Sequence, residues 1–364
     1  VRALAVVRWT ALGSVATVAA ALAAVCLGSG CSTLGYYAQS VGGHLDVLQR
    51  ARPIDAWLAD PATPALLQDR LQIARQARRF AVTELALPDN TSYTRHAELG
   101  RSAVVWNVVA TPELSLTLKT WCYPLMGCVG YRGYFDQASA DAEAAALRAQ
   151  GLEVSVYGVP AYSTLGWTNW IGGDPLLNTF VGGSEAAMVR LIFHELAHQQ
   201  VYVSGDTPFN ESYATAVERL GLARWHAATG RSAGDPAALQ RAADFRAITR
   251  RTRAALAALY ASAADEAGKR SQKAALLAAM RAEHAALKAQ PTGVWAGFAG
   301  YDGWFERANN ASLALQAAYD GLVPQFEALF RQQGSDFARF HAAVQRLAAL
   351  PADQRRAALD RLQP

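Results

Sequence analysis

Charge is sparse in this chain. Only 18% of its 364 residues are Asp, Glu, Lys or Arg, and the formal net charge is +4. With 52% apolar residues beside so little charge, disorder is excluded and a folded globular protein expected. The length suits one large domain or two modest ones. No dense basic stripe interleaved with aromatics occurs, which argues against nucleic acid as a partner. No internal repeat is evident. No strict heptad is sustained through the Ala- and Arg-rich run 236–288, so one or two long packed helices are expected there in place of a coiled coil.

Cysteine is equally scarce, at four residues. Two of them fall at the end of an N-terminal stretch that does not read as part of a fold. Arg2 and Arg8 flank a basic region, "ALGSVATVAAALAAVCL" follows as an apolar core, and the small residues "GSG" lead into Cys31. That order is a secretory signal. Small residues just before a cysteine resemble a bacterial lipoprotein cleavage site, with Cys31 as the lipidated residue. Gly28 departs from that pattern, since a branched aliphatic residue usually stands three places before the cysteine, and Leu27 is one step early. The alternative is an uncleaved anchor, although residues 11–27 are barely long enough to span a bilayer. The expected location is the periplasmic face of a bacterial membrane, as an outer-membrane lipoprotein. Cys122 and Cys128 remain, enclosing "YPLMG"; in an oxidising compartment, with no second Cys or His cluster nearby, they are expected to form a disulfide.

Three- and four-residue spacing of apolar side chains marks 34–97 as mostly helical. Residues 98–182 carry short β-branched or aromatic runs split by Pro and Gly ("SAVVWNVVATPEL", "GYRGYF", "LEVSVYGV"), with one helix inserted. Beyond Gly183 the chain reads as helical to its end. The fold class expected is α+β and predominantly helical.

The stretch "RLIFHELAHQQ" carries the chemistry. Histidines four apart share a helix face, so His194 and His198 present two imidazoles to one ion. Glu195 projects about 100° round the helix, beside the ion, where it can take a proton from a bound water. A glutamate within so apolar a helix is costly unless paired or functional. A catalytic zinc needs a third protein ligand. The metzincin continuation is excluded, because Val201 and Ser204 stand where Gly and His would be required. Downstream, Ser204, Gly205 and Asp206 form a turn with Asp206 as N-cap of a second helix. At 1.5 Å per residue His198 lies about 7 Å below the turn on one helix, and Glu211 about 6 Å below it on the other. Glu211 is therefore the expected third ligand. Glu218 shares its face but lies deeper, as an acceptor for a ligand imidazole or, equally, a carboxylate paired with Arg219 or Arg224.

"HELAHQ" with "FNESYA" resembles the gluzincin peptidases. More narrowly, "CSTLGYYAQSVGGHLDVL", "WCYPLMGCVGYRGYF", "YSTLGWTNW", "HELAHQ", "FNESYATAVE" and "NNASLALQAAY" resemble a bacterial family of predicted aminopeptidases, exported and often lipoproteins. The resemblance implies Zn2+, held by His194, His198 and Glu211, and Glu195-assisted attack of a zinc-bound water on peptides. A small sheet would then pack beside the HExxH helix. The implied organisation is a signal or lipoprotein peptide over 1–30, a helical segment over 31–97, a zincin-like catalytic core over 98–230 and a helical part over 231–364. Such peptidases bind substrate as an added strand, which points to the backbone of Ser163, Thr164, Leu165 and Gly166. No acid to hold a substrate amine falls in that stretch; Asp174 and Glu153 are nearest. Tyr319 is the expected donor to the charged transition state, with Tyr301 and Arg132 behind it. Asn309 and Asn310 open a helical pattern, where capping explains them at least as well as substrate contact. The alternative function is a non-catalytic envelope lipoprotein that zinc stabilises. The sequence does not fix the oligomeric state.

Overall fold

The computed structural model describes residues 31–364 apart from 124–126, 162–163, 167–168, 170–171, 232–234 and 363–364. The leader expected over 1–30 and Ser163 lie outside the described residues, as does the side chain of Tyr319. Two compact units are present. The first runs to Gln49 and holds α1 (Cys31–Arg50) up to its last residue; the second runs from Arg50 to Pro364. No described helix is long and apolar enough to cross a membrane.

The second unit opens with β1 (Arg52–Pro53), α2 (Ile54–Ala59), α3 (Ala65–Thr83) and β2 (Arg95–Ala97). Then come β3 (Val105–Pro112), β4 (Trp121–Tyr123), β5 (Gly127–Val129), β6 (Arg132–Tyr134), α4 (Gln137–Ala149), β7 (Leu152–Val159) and β8 (Leu176–Leu177). Helices follow: α5 (Asn178–Val181), α6 (Glu185–Gln200), α7 (Thr207–Thr229), α8 (Pro236–Ala261), α9 (Glu266–Lys288) and α10 (Asp302–Arg307). The chain finishes with α11 (Asn310–Asp320), α12 (Val323–Gln332), α13 (Phe337–Ala348) and α14 (Ala352–Asp360). The architecture is α+β and mostly helical, as the pattern of apolar spacing implies. The run 236–288 is two helices packed on each other, α8 and α9.

Local chemistry sets the boundaries. Ser184, Asp206, Asp235, Asp265, Asn309 and Asp336 each cap a helix by accepting from a first-turn backbone N–H. Asn309 forms a full capping box with Ser312, so its role is to start α11. Helix α7 stops where Gly230 takes φ 65°.

Three small sheets form among the described residues. In one, β3 lies between β6 and β7, antiparallel to both, with Trp106 opposite Tyr134 and Val108 opposite Val156. In a second, β2 joins β1 antiparallel and β8 parallel. The third is the β4–β5 hairpin, closed by the Cys122–Cys128 disulfide. Helices α4 and α11 cover β3 and β7, and α11 also meets α7.

Helix α6 packs mainly against α3 and α7. This corrects the expectation of a sheet beside it. Met188, Val189, Ile192, Phe193, Leu196 and Ala197 are all buried, so α6 is apolar nearly all round and needs broad apolar surfaces on several sides. Phe193 stacks on Phe80 of α3 at 6.1 Å, and a methyl on Gly221 of α7 would stand 3.0 Å from the same ring.

Candidate metal centre

Helix α6 ends at Gln200, and the Asp206 backbone N–H bonds the carbonyl of Val203 at 3.2 Å across the turn. Gly205, at φ 80°, supplies the left-handed conformation this reversal needs. Asn210 reinforces it, its side chain accepting from Val203 N and donating to Val203 O, both at 2.8 Å. The two helices are thus fixed side by side, and three donor atoms meet between them. His194 Nε2 is 3.1 Å from His198 Nε2 and 3.3 Å from Glu211 Oε2, and His198 Nε2 is 3.6 Å from the same oxygen. A tetrahedral ion with bonds of about 2.1 Å would separate its ligand atoms by about 3.4 Å. The spacing fits.

The proton pattern fits as well. His194 Nδ1 faces Glu218 Oε2 at 3.1 Å, which holds the ring proton on Nδ1 and leaves a lone pair on Nε2. That lone pair points at an oxygen of the partly buried Glu211 and at a nitrogen of the buried His198. Three electron-rich atoms converging largely away from water require a cation among them. Without a metal, the cation is a proton on His194. Burial by itself would lower this imidazole, but its bonds to Glu211 and Glu218 outweigh burial and hold it well above its ordinary value. Burial likewise would raise Glu211, yet electrostatic attraction to His198 and the contacts with both imidazoles hold its carboxyl far below the usual range. Glu218 behaves similarly; against burial, His194 and Arg190 keep it ionised. Its partner is Arg190, one turn before His194, and neither Arg219 nor Arg224. Arg224 instead binds the carbonyls of Glu84 and Ser335. Among the described residues, His194, His198 and Glu211 form the one group of three that could hold a metal ion.

Glu195 is buried beside this cluster and makes no hydrogen bond to a described residue. Burial raises its pKa, and the nearby Glu211 and Asp174 add to that, partly offset by the two imidazoles. A carboxylate with raised proton affinity and no hydrogen-bond partner among the described residues is equipped to accept and return a proton.

The residues expected to bind substrate are arranged otherwise. Thr164 to Gly166 are a turn and not an edge strand: Leu165 has φ 56° and Gly166 φ 80°. The cause is Asp174, which accepts from Thr164 N at 3.0 Å and Thr164 Oγ1 at 2.8 Å and so bends the chain. The same carboxylate accepts from Gln199 Nε2 at 3.3 Å, and Gln199 Oε1 accepts from Asn90 at 2.7 Å. Gln199 follows His198 directly, so this turn is tied to the end of α6. Asp174 is buried and fully engaged, and Glu153 is paired with Lys273 and accepts from Asn310 N at 2.8 Å. Tyr301 stacks on Phe245 at 4.6 Å within the core shared by α8, α9 and α10. Arg132 reaches Glu143 at 3.4 Å. Sequence reasoning missed Tyr131, whose half-buried phenol lies in the electrostatic field of both Glu211 and Glu195. Its only signal was its position beside Arg132 in "GYRGYF".

Fold and donor set define a class: a mostly helical α+β protein with a candidate three-ligand metal centre between two consecutive helices. A family model described as "Putative aminopeptidase" matches residues 35–359, and the chain belongs to that family. The family description supports a peptidase and implies peptide substrates. No curated protein and no solved structure matches the chain.

Proposed function

We propose that the protein is a zinc-dependent aminopeptidase of gluzincin type. The observation that carries this is the convergence of His194 Nε2, His198 Nε2 and Glu211 Oε2 to within 3.1–3.6 Å of one another, with a buried carboxylate alongside, Glu195, that makes no hydrogen bond to a described residue. His194, His198 and Glu211 would hold zinc, which when bound acts as a Lewis acid on a peptide carbonyl and raises the acidity of water. Glu195 removes the proton from the attacking water and returns it to the leaving nitrogen. Glu218 orients the His194 ring and fixes its tautomer. Asp174 and Gln199 hold the turn at Thr164–Gly166 against the end of α6 as one wall of the substrate cleft. Small residues ahead of Cys31 and the Cys122–Cys128 disulfide support an exported, lipid-anchored protein.

The test is digestion of a defined peptide mixture by the zinc-loaded protein and by Glu195→Gln, read by mass spectrometry. Stepwise loss of N-terminal residues by the wild type alone is expected. Internal cuts would make it an endopeptidase. Stoichiometric zinc with no cleavage at all would favour the structural-zinc alternative.

A further inference from the structure

We propose that Tyr131 is a catalytic residue, donating its phenolic hydrogen to the substrate carbonyl oxygen as that oxygen becomes charged. This rests on the peptidase reading above and adds to it the donor which that chemistry needs.

Tyr131 is held on both sides. Upstream, the disulfide-closed β4–β5 hairpin sits on the turn between α6 and α7: a methyl on Gly127 would lie 2.8 Å from Gly205 N, and one on Gly205 would lie 3.8 Å from Cys128 N. Downstream, β6 is pinned to β3, with Arg132 opposite Val108 and Tyr134 opposite Trp106. The residue between these anchors is therefore placed against the very turn that sets the His198–Glu211 geometry. Its phenol interacts with Glu211 and Glu195 together, and it makes no hydrogen bond to a described residue. Two carboxylates and two imidazole lone pairs line the centre; Tyr131 brings them a neutral donor whose hydrogen is unused. Of the other donors considered, Arg132 is paired with Glu143 and the Tyr301 ring packs on Phe245, while the side chain of Tyr319 lies outside the described residues.

The step balances without a redox partner. The water oxygen bonds to the carbonyl carbon, and the carbonyl π pair moves onto oxygen, where the Tyr131 O–H meets it. The water proton passes to Glu195 and then to the leaving nitrogen as the C–N bond breaks; the hydroxyl proton that remains on the new carboxyl group follows it to the amine, giving a carboxylate and an ammonium. A donor preorganised for the charged oxygen is stronger in the transition state than with the neutral carbonyl, so it acts on kcat.

The test compares zinc-loaded full-length wild type with Tyr131→Phe on a panel of aminoacyl 4-nitroanilides, with zinc content measured for both. Expected are a kcat lower by about 10²–10³-fold, KM within about threefold, and equal zinc. The phosphinic dipeptide Leu-ψ(PO2CH2)-Gly, whose anionic oxygen mimics the charged carbonyl, should bind Tyr131→Phe more weakly by a comparable factor in calorimetry. An unchanged kcat and unchanged phosphinate affinity overturn the assignment while leaving the peptidase reading intact. A wild type that hydrolyses no member of the panel overturns both. If Tyr131→Phe loses zinc or melts early, the wild type labelled with 13Cζ-tyrosine decides: a Tyr131 resonance unmoved by the phosphinate overturns the assignment.

Discussion

Tyr213 donates its phenolic hydrogen to Nδ1 of His341 across 2.8 Å, while Nε2 of the same ring donates to the Leu85 carbonyl at 2.8 Å. Tyr213 lies two residues beyond Glu211 on α7, so this buried imidazole fastens the ligand helix to α13 and to the end of α3.

That ring must stay neutral, because Nδ1 is the acceptor. Burial pushes His341 from 6.5 down to about 4, only partly resisted by the Leu85 carbonyl. The unfolded chain then takes up the proton first as pH falls. Stability from this site is complete above pH 6.5 and is lost as pH drops toward 4, by something on the order of 3 kcal/mol. Urea melts between pH 7 and pH 4.5 check it: His341→Gln should be less stable at pH 7 and have a shallower pH dependence. Equal slopes for the two proteins would refute the assignment.

Glu211→Ala and Glu195→Gln should separate holding from chemistry. Metal analysis of purified protein is expected to find near-stoichiometric zinc in the wild type and in Glu195→Gln, and little in Glu211→Ala. Zinc retained by Glu211→Ala would remove the third ligand from the site.

Glu218 touches only the far nitrogen of His194 and the Arg190 guanidinium. Its removal frees the ring to turn and to change tautomer. Competition with a chromogenic chelator should show Glu218→Ala binding zinc about 10–100-fold more weakly than wild type. An unaltered dissociation constant would mean that packing alone orients the imidazole.

Gly127 has φ 75° and stands against Ser204 and Gly205. Alanine there must adopt a left-handed backbone and displace the turn, so a loss of about 1–3 kcal/mol is expected. Thermal melts of Gly127→Ala measure it, and a melting temperature equal to wild type would show that the hairpin yields freely.

The helix pair and its donors were legible because they are local. Four-residue spacing places His194 and His198 on one face, Asp206 announces a helix start, and the levels on either side of a short turn select Glu211. The run at Thr164–Gly166 was misread because its conformation is set from a distance: Asp174, ten residues on, captures Thr164 and converts an extended-looking run into a turn. The all-round apolar character of α6 was visible, but which elements would cover it was not. Tyr131 was out of reach for the same reason as that run. Its neighbours Glu195 and Glu211 are more than sixty positions away, and only the packing of a disulfide hairpin on a turn brings them together.

The three donors span residues 194–211, and the single reversal at 201–206 is all that separates them. Closing so short a connection costs little chain entropy, and loops of this size close in about 10–100 ns. Tyr131 and Asp174 must wait for contacts of much greater sequence separation, which form more slowly. The candidate donors are thus a local property of one helical hairpin, while the groups around them are gathered by the tertiary fold.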